Sequence, residues 1–429
     1  MRVAVIGFGV EGRAAVDYWT ARGHQVVVHE RSGPVDVPDG VTLADDYLTG
    51  LDTVDLIVRS PGVRPETLPA EVPTTSVIAE FMARCPAPVI GVTGTKGKGT
   101  TATAIAAILR AAGRRVVVGG NIGTTPLALL PRIDPDDLVV LELSSFQLMD
   151  LQRSPQIAVV LAVTPDHLNW HRDMDEYEQA KSSIARYQTP DDLVVYAADN
   201  PPATRIAATG PARRVPVGDP EGVHLHDDAI YLRDTRVIET GDVPLPGPHN
   251  LTNIAAAIAA THDLIGGDHQ AIRSAVRGLQ ALPHRLQVAA TRNGVTWVDD
   301  SLSTTPQTTI AAMNAFDGPK ILILGGSTKG VSFDDLAQAI AEAAAHARIR
   351  AVLLTGAEAP RIAAALDAAD VTGYEHVPGP MTDLVTRAAH HAHPGDVVLL
   401  SPACSSVGDY RNYADRGDQF ATAVHALPS

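Results

Sequence analysis

The chain has 429 residues, enough for two to four domains with substantial cores, and its 45% hydrophobic and 19% charged residues exclude a disordered protein. A net charge of −15 argues against a broad nucleic-acid surface, so an anionic ligand needs local help from helix termini, metal ions and single Arg or Lys side chains. Cys85 and Cys404 alone form neither a disulfide framework nor a zinc site, and no apolar run approaches membrane-spanning length. Met1-Arg2-Val3-Ala4-Val5-Ile6-Gly7 enters a strand at once without a signal-peptide layout, so a cytoplasmic protein is expected, with no membrane and no nucleic acid as partner.

Residues 1–87 alternate apolar strands (Arg2–Ile6, Gln25–His29, 55–59) with a helical pattern over 12–22, which predicts a parallel α/β sheet. Gly7-Phe8-Gly9-Val10-Glu11-Gly12 follows the first strand and Glu30 ends the second. Taken alone this is a dinucleotide fingerprint, and it gives a rival reading as an NAD(P)-dependent oxidoreductase. Asp55-Leu56-Ile57-Val58-Arg59-Ser60-Pro61-Gly62 puts another polar, Gly-containing turn at a strand end, where ligands gather in open parallel sheets. Cys85-Pro86-Ala87-Pro88 reads as a linker.

A second α/β unit is expected over 88–281, with strands at 89–91, 115–118, 138–143 and 158–163 and a small antiparallel excursion over 210–245. Its first strand runs into Gly91-Val92-Thr93-Gly94-Thr95-Lys96-Gly97-Lys98-Gly99-Thr100 and then an apolar helix over 100–112. A strand feeding a Gly-rich loop at a helix start is a nucleotide-phosphate cradle: glycines let backbone N–H groups point inward, and Lys98 reaches the terminal phosphates. The spacing is GxxGxxGK rather than the strict P-loop pattern. Gly99 stands where Ser or Thr is usual, leaving Thr100 as the first hydroxyl for Mg²⁺.

Glu142 closes the apolar strand of Leu138-Val139-Val140-Leu141-Glu142, where a buried carboxylate needs a partner that Mg²⁺ beside phosphates would supply. Asp166-His167-Leu168-Asn169-Trp170-His171 follows another strand and offers His167 as a further metal ligand. Lys181 falls on a helix pattern, where a lysine is ordinarily a solvated charge. Asn250 and Asn253, at i and i+3 before the apolar helix 254–261, either read a nucleobase or phosphate or cap the helix. Residues 282–429 form a third α/β unit, with strands at 321–324, 351–354 and 396–400 between Ala-rich helices.

Together these motifs resemble the Mur ligase family, the ATP-dependent amino-acid-adding enzymes of peptidoglycan synthesis, and within it the branch that joins glutamate to UDP-N-acetylmuramoyl-L-alanine. The matches run in the family's order along the whole chain. They are GxxGxxGK, Gly120-Asn121-Ile122-Gly123, Leu143-Ser144-Ser145-Phe146-Gln147-Leu148, Asp166-His167-Leu168, His249-Asn250-Leu251-Thr252-Asn253 and Pro283-His284-Arg285. Ser401-Pro402-Ala403-Cys404-Ser405-Ser406 and Asn412-Tyr413-Ala414-Asp415-Arg416-Gly417 complete the set. The resemblance implies a Rossmann-like UDP-substrate domain over 1–87, a P-loop ATPase-like ATP domain over 88–281 and a Rossmann-like glutamate domain over 282–429.

It also implies a role for each matching position. Gly7, Gly9, Val10, Glu11, Arg31, Ser60 and Gly62 would line the UDP site, with Asn121 facing the muramoyl group. Gly94, Gly97, Lys98, Gly99 and Thr100 would hold ATP phosphates, and Asn250, Asn253, Arg285 and Asp300 would contact ATP. Two Mg²⁺ ions would be held by Thr100, Glu142, His167 and a carbamylated Lys181. Lys98, His167, Lys181 and Arg285 would be the catalytic residues, with Arg285 near the transferred phosphate, and Thr304, Lys329, Ser406 and Tyr413 would bind glutamate.

One segment departs from the family pattern. Asp300-Ser301-Leu302-Ser303-Thr304-Thr305-Pro306 stands where Asp-Ser-Lys-Ala-Thr-Asn is usual, so Leu302 removes a cation near the amino-acid site. This form resembles a subgroup that adds L-glutamate, with a separate epimerase acting on the product; D-glutamate is the family default. The oxidoreductase reading leaves the Lys98 loop and Glu142 unexplained.

Overall fold

The computed structural model describes residues 1–31, 35–121, 124–168, 170–280, 283–327, 331–406 and 408–428. Its first sheet is parallel throughout, built from β1 (Arg2–Ile6), β2 (Gln25–His29), β3 (Thr42–Leu43), β4 (Leu56–Arg59) and β5 (Thr74–Ser76) in the order β3-β2-β1-β4-β5. Val3 to Ile6 are all buried, as a strand covered on both faces requires, which explains its uninterrupted apolar run. The strand order reverses at β1, so the carboxyl ends of β1 and β4 form the crevice of this sheet.

The second sheet holds β6 (Val89–Thr93), β7 (Val116–Gly120), β8 (Leu138–Glu142), β9 (Ile157–Val160), β10 (Leu193–Ala197), β11 (Arg213–Val217), β12 (Val223–His226), β13 (Ala229–Leu232) and β14 (Thr235–Glu239). They lie in the order β14-β13-β12-β11-β10-β9-β6-β8-β7. The strands from β6 to β11 are parallel, and β12 to β14 form the antiparallel excursion expected over 210–245, attached through Val217 and Val223. β6 lies between β8 and β9, so the loop leaving it is flanked by Glu142 on one side and the segment after Val160 on the other.

The strand expected over 158–163 stops at Val160. The next residues serve the phosphate loop instead: Ala162 accepts the Thr95 N–H at 2.9 Å and Thr164 accepts the Thr95 hydroxyl at 3.0 Å.

The third sheet comprises β15 (Gln287–Arg292), β16 (Val295–Asp299), β17 (Lys320–Gly325), β18 (Ile349–Thr355), β19 (Tyr374–His376) and β20 (Val397–Leu400), ordered β15-β16-β20-β17-β18-β19 and antiparallel only at β15–β16. The chain divides into two compact units. Met1–Val243 with Leu251–Leu279 carries the first two sheets, and Pro244–Asn250 with Gln280–Ser429 carries the third. One apolar core runs through both sheets of the first unit, including Val5, Val28, Phe81, Val139, Leu141, Val160 and Ile184. The second unit has a core on each face of its sheet, around Leu322 and Leu324 on one and Ile321 and Ile323 on the other. Among the described residues no helix is long and apolar enough to cross a membrane.

Candidate active site

At the crevice of the first sheet, Gly7 turns with φ +86° and sends its N–H to His29 O at 2.8 Å; a side chain there would meet Ser60 Oγ at 2.8 Å. This close approach joins two of the residues expected at the UDP site. Gly9 begins helix Val10–Thr20, whose first residue, Val10, is 77% exposed. The Phe8 N–H donates to Glu30 at 2.7 Å, so this carboxylate braces the loop itself.

Glu11 accepts from Gln147 Nε2 at 2.7 Å, linking the first sheet to the second. Its other oxygen is buried without a hydrogen bond among the described residues, and burial raises the Glu11 pKa above the usual carboxylate value. Gly62 is exposed and its carbonyl accepts from Trp170 Nε1 at 3.1 Å, while Arg31 is exposed on the surface.

The phosphate loop is set by two glycines in conformations that L side chains rarely adopt, Gly94 at φ +140° and Gly97 at φ +85°. Gly97 caps helix Lys98–Ala111, so the helix starts two residues before the expected Thr100 and puts Lys98, Gly99 and Thr100 in its first turn. A Cβ at Gly97 would overlap Asn253 Oδ1, which places that asparagine against the loop. Asn250, one turn earlier on helix Pro248–Thr261, donates to Pro246 O at 2.7 Å. Lys98 Nζ curls back onto the carbonyls of Gly94 (3.3 Å) and Thr95 (3.0 Å), and Lys96 pairs with Asp166 at 3.2 Å.

Around this loop the structure gathers Glu142, Asn121 and Lys181. Glu142 is buried, accepts from Asn121 Nδ2 at 3.2 Å and makes no ion pair among the described residues. Lys181, on helix Met174–Arg186, is 1% exposed rather than solvated. Its Nζ donates to Gly94 O at 3.0 Å and Thr93 Oγ1 at 3.3 Å and sits 4.6 Å from the Tyr177 ring centroid. Burial lowers its pKa well below the usual lysine value, and the nearby Lys98 adds to this.

His167 has φ +56°, a conformation that costs a non-glycine residue about 1–2 kcal/mol and that accumulates at functional sites. Its side chain is 39% exposed and lies 4.8 Å edge-on from Phe146. No three His, Cys, Asp or Glu side chains among the described residues stand close enough to hold a metal by themselves. The buried carboxylate of Glu142 beside the glycine loop, held by Asn121, would fit a hard cation.

In the second unit, Asp300 follows β16 and is held by the Leu286 N–H at 3.1 Å and Ser401 Oγ at 2.8 Å. Burial pushes its pKa up to about 6, partly opposed by Arg285 and these hydrogen bonds. His284, beside Arg285, shares a 2.7 Å hydrogen bond with Asp299 and meets the Tyr413 ring at 6.2 Å. Ser301 Oγ donates to Tyr413 O at 2.8 Å, and the Leu302 N–H donates to His284 O at 3.0 Å. The Asp300–Leu302 turn, Arg285 and Tyr413 therefore share one neighbourhood. Thr304 is half-buried, Ser406 is buried, and Lys329 lies outside the described residues, as does the expected boundary at 281/282.

Several residues escaped the sequence reading. Arg59, His171 and Tyr177, all fully buried, and half-buried Asp150, Phe146 and Trp170 surround the sequence-assigned groups; His171 shares a 2.9 Å hydrogen bond with Ser145 Oγ, and Tyr177 OH one of 3.1 Å with Thr95. Arg416 is buried against Ser301 and Cys404 carbonyls, and burial lowers its pKa to about 10. The available signal was a cation closing an apolar strand (Arg59); Arg416, between Asp415 and Gly417 in the first turn of its helix, carried no such signal.

Three parallel-dominated sheets, one carrying a glycine loop capped by a helix start, define a P-loop-type α/β protein. Residues 92–261 match the Mur ligase middle domain and residues 284–404 the Mur ligase, glutamate ligase domain. The UDP-N-acetylmuramoylalanine--D-glutamate ligase of Symbiobacterium thermophilum is 38% identical, covering 99% of this chain and 98% of its own. That of Clostridium kluyveri is 32% identical, covering 99% and 97%. This chain belongs to the Mur ligase family.

Solved structures share the fold at low identity. UDP-N-acetylmuramate-alanine ligase MurC from Thermotoga maritima has TM-score 0.65 and 18% identity, covering 99% of both chains. MurF ligase from Thermotoga maritima in complex with ADP has TM-score 0.61 and 19% identity, covering 98% of this chain and 93% of its own.

Proposed function

We propose that the chain is an ATP-dependent ligase that adds D-glutamate to UDP-N-acetylmuramoyl-L-alanine in peptidoglycan synthesis, acting in the cytoplasm. The arrangement that carries this reading is Lys98, Glu142 and Lys181 around one glycine loop at the carboxyl edge of the second sheet. End-to-end similarity to ligases named for this reaction supports it. We assign 1–87 to the UDP substrate, 88–281 to ATP and 282–429 to glutamate.

In this reading the N–H groups of the 94–97 loop and the helix start take up the phosphates of ATP, and Lys98 turns from the loop carbonyls onto the terminal phosphate. The substrate carboxylate attacks that phosphate, giving an acyl phosphate and ADP. The glutamate amine then attacks the acyl carbon and phosphate leaves. Glu142, which accepts from Asn121, together with His167 and Thr100 would hold Mg²⁺, which when bound would neutralise charge on the phosphoryl group.

Burial lowers the Lys181 pKa and so favours the free amine that adds carbon dioxide and releases a proton, giving an anionic carbamate that would suit a second cation. Gly7, Gly9, Val10, Glu11, Arg31, Ser60 and Gly62 bind the UDP moiety. Asn250, Asn253, Arg285 and Asp300 contact ATP, and Thr304, Lys329, Ser406 and Tyr413 receive glutamate. ATP hydrolysis followed as phosphate release tests this: release requires both UDP-N-acetylmuramoyl-L-alanine and glutamate, and release dependent on neither would refute the reading. Leu302, where the family carries a lysine, favours a second reading in which L-glutamate is the amino acid and an epimerase follows.

A further inference from the structure

Arg59 ends β4 with 0% exposure, and all the donors of its fork are engaged. Nε and Nη2 reach Asp150 at 3.1 and 2.5 Å, and Nη2 also reaches Phe146 O at 3.1 Å. Nη1 holds the carbonyls of Ser60 (3.3 Å), Pro61 (3.2 Å) and Val63. The one carbonyl of this turn that Arg59 does not hold, that of Gly62, accepts from Trp170 Nε1 at 3.1 Å. Trp170 in turn packs edge-on against Phe146 with ring centroids 4.8 Å apart, and Phe146 lies 4.8 Å from His167. The contacts close a circuit: Arg59, the 60–63 turn, Trp170, Phe146 and back to Arg59.

We propose that Arg59, fixed by Asp150, is a positioning residue that sets the 60–63 turn against the His167 segment. It thereby fixes where the acceptor carboxylate of the UDP substrate stands relative to the phosphate loop. The inference rests on the UDP-substrate reading above. A lysine at this position keeps the charge but has no planar fork, so it cannot hold three turn carbonyls and Asp150 together.

The test compares the wild-type chain, Arg59→Lys and Asp150→Asn by steady-state kinetics and by tryptophan emission during titration with UDP-N-acetylmuramoyl-L-alanine. Trp19 and Trp297 are buried while Trp170 is half-buried, and Trp170→Phe identifies its signal. For Arg59→Lys, kcat/KM for the UDP substrate falls about 10- to 100-fold, as displacement by an ångström implies. The KM for ATP stays within about twofold and the Trp170 response weakens. Asp150→Asn shifts the same parameters in the same direction. Wild-type kinetics for the UDP substrate in both variants, or an equal loss toward both substrates, overturns the proposal. If the wild-type chain shows no ligase turnover, the function reading fails and the Trp170 titration decides alone: weaker UDP-substrate binding in Arg59→Lys upholds the joint, and equal binding overturns it.

Discussion

Gly97 and Gly113 lie at opposite ends of one helix with similar φ, +85° and +78°, but among the described residues only at Gly97 would a Cβ meet a neighbour. Alanine at Gly113 meets nothing within 4 Å among the described residues, so it costs only left-handed strain, about 1–2 kcal/mol, less about 0.4–1 kcal/mol regained through the unfolded chain. Alanine at Gly97 carries the same strain and also drives its Cβ into Asn253 Oδ1, so the amide must retreat by about 1 Å to reach normal contact. Such overpacking adds about 1–3 kcal/mol.

At about 2–4 °C per kcal/mol for a unit of this size, Gly113→Ala lowers the Tm by a few degrees and Gly97→Ala by roughly twice as much or more. The functional contrast is larger. Moving Asn253 costs Gly97→Ala about 10- to 100-fold in kcat/KM for ATP, while Gly113→Ala keeps wild-type turnover. Differential scanning calorimetry and phosphate-release kinetics measure both effects. Equal Tm shifts together with equal ATP kinetics would refute the idea that the Gly97–Asn253 contact shapes the nucleotide site.

Three further outcomes follow from the buried charges. Glu142→Gln lowers turnover by about 100-fold or more at saturating ATP and raises the Mg²⁺ concentration needed for half-maximal rate, measured by metal titration. Lys181→Met abolishes turnover yet leaves the chain folded. Because the folded-state pKa of Lys181 is lowered, its protonation penalty is full below that pKa and fades as pH rises toward 10.5, so in protein stripped of carbon dioxide the Met variant gains most at low pH, read by chemical denaturation across pH. Asp300, raised to about 6 from 3.8, binds more protons folded than unfolded between these values. The second unit therefore gains stability as pH falls through about 6, and Asp300→Asn flattens that slope in pH-dependent denaturation.

The strands Arg2–Ile6 and Gln25–His29 were legible to the residue because buried parallel strands leave continuous apolar runs. The glycine loop was legible because positive φ needs glycine at fixed places. Boundaries slipped where the ladder gave way to function. The strand expected to reach 163 ends at Val160 so that Ala162 and Thr164 can hold Thr95, and no propensity encodes that loan of carbonyls. Lys181 reads as a surface charge on its helix, and its burial follows only from the packing of Tyr177 and Thr93 around it. Arg59 and Asp150 are 91 residues apart, so their pairing had no local signature.

The central claim is tested most directly by product mass after incubation with UDP-N-acetylmuramoyl-L-alanine, ATP and Mg²⁺, with D-glutamate and L-glutamate in separate tubes. The account predicts a product heavier by one glutamate residue in the D-glutamate tube. Product in the L-glutamate tube alone would transfer the assignment to the Leu302 reading, and no product in either tube would contradict the glutamate-ligase account itself.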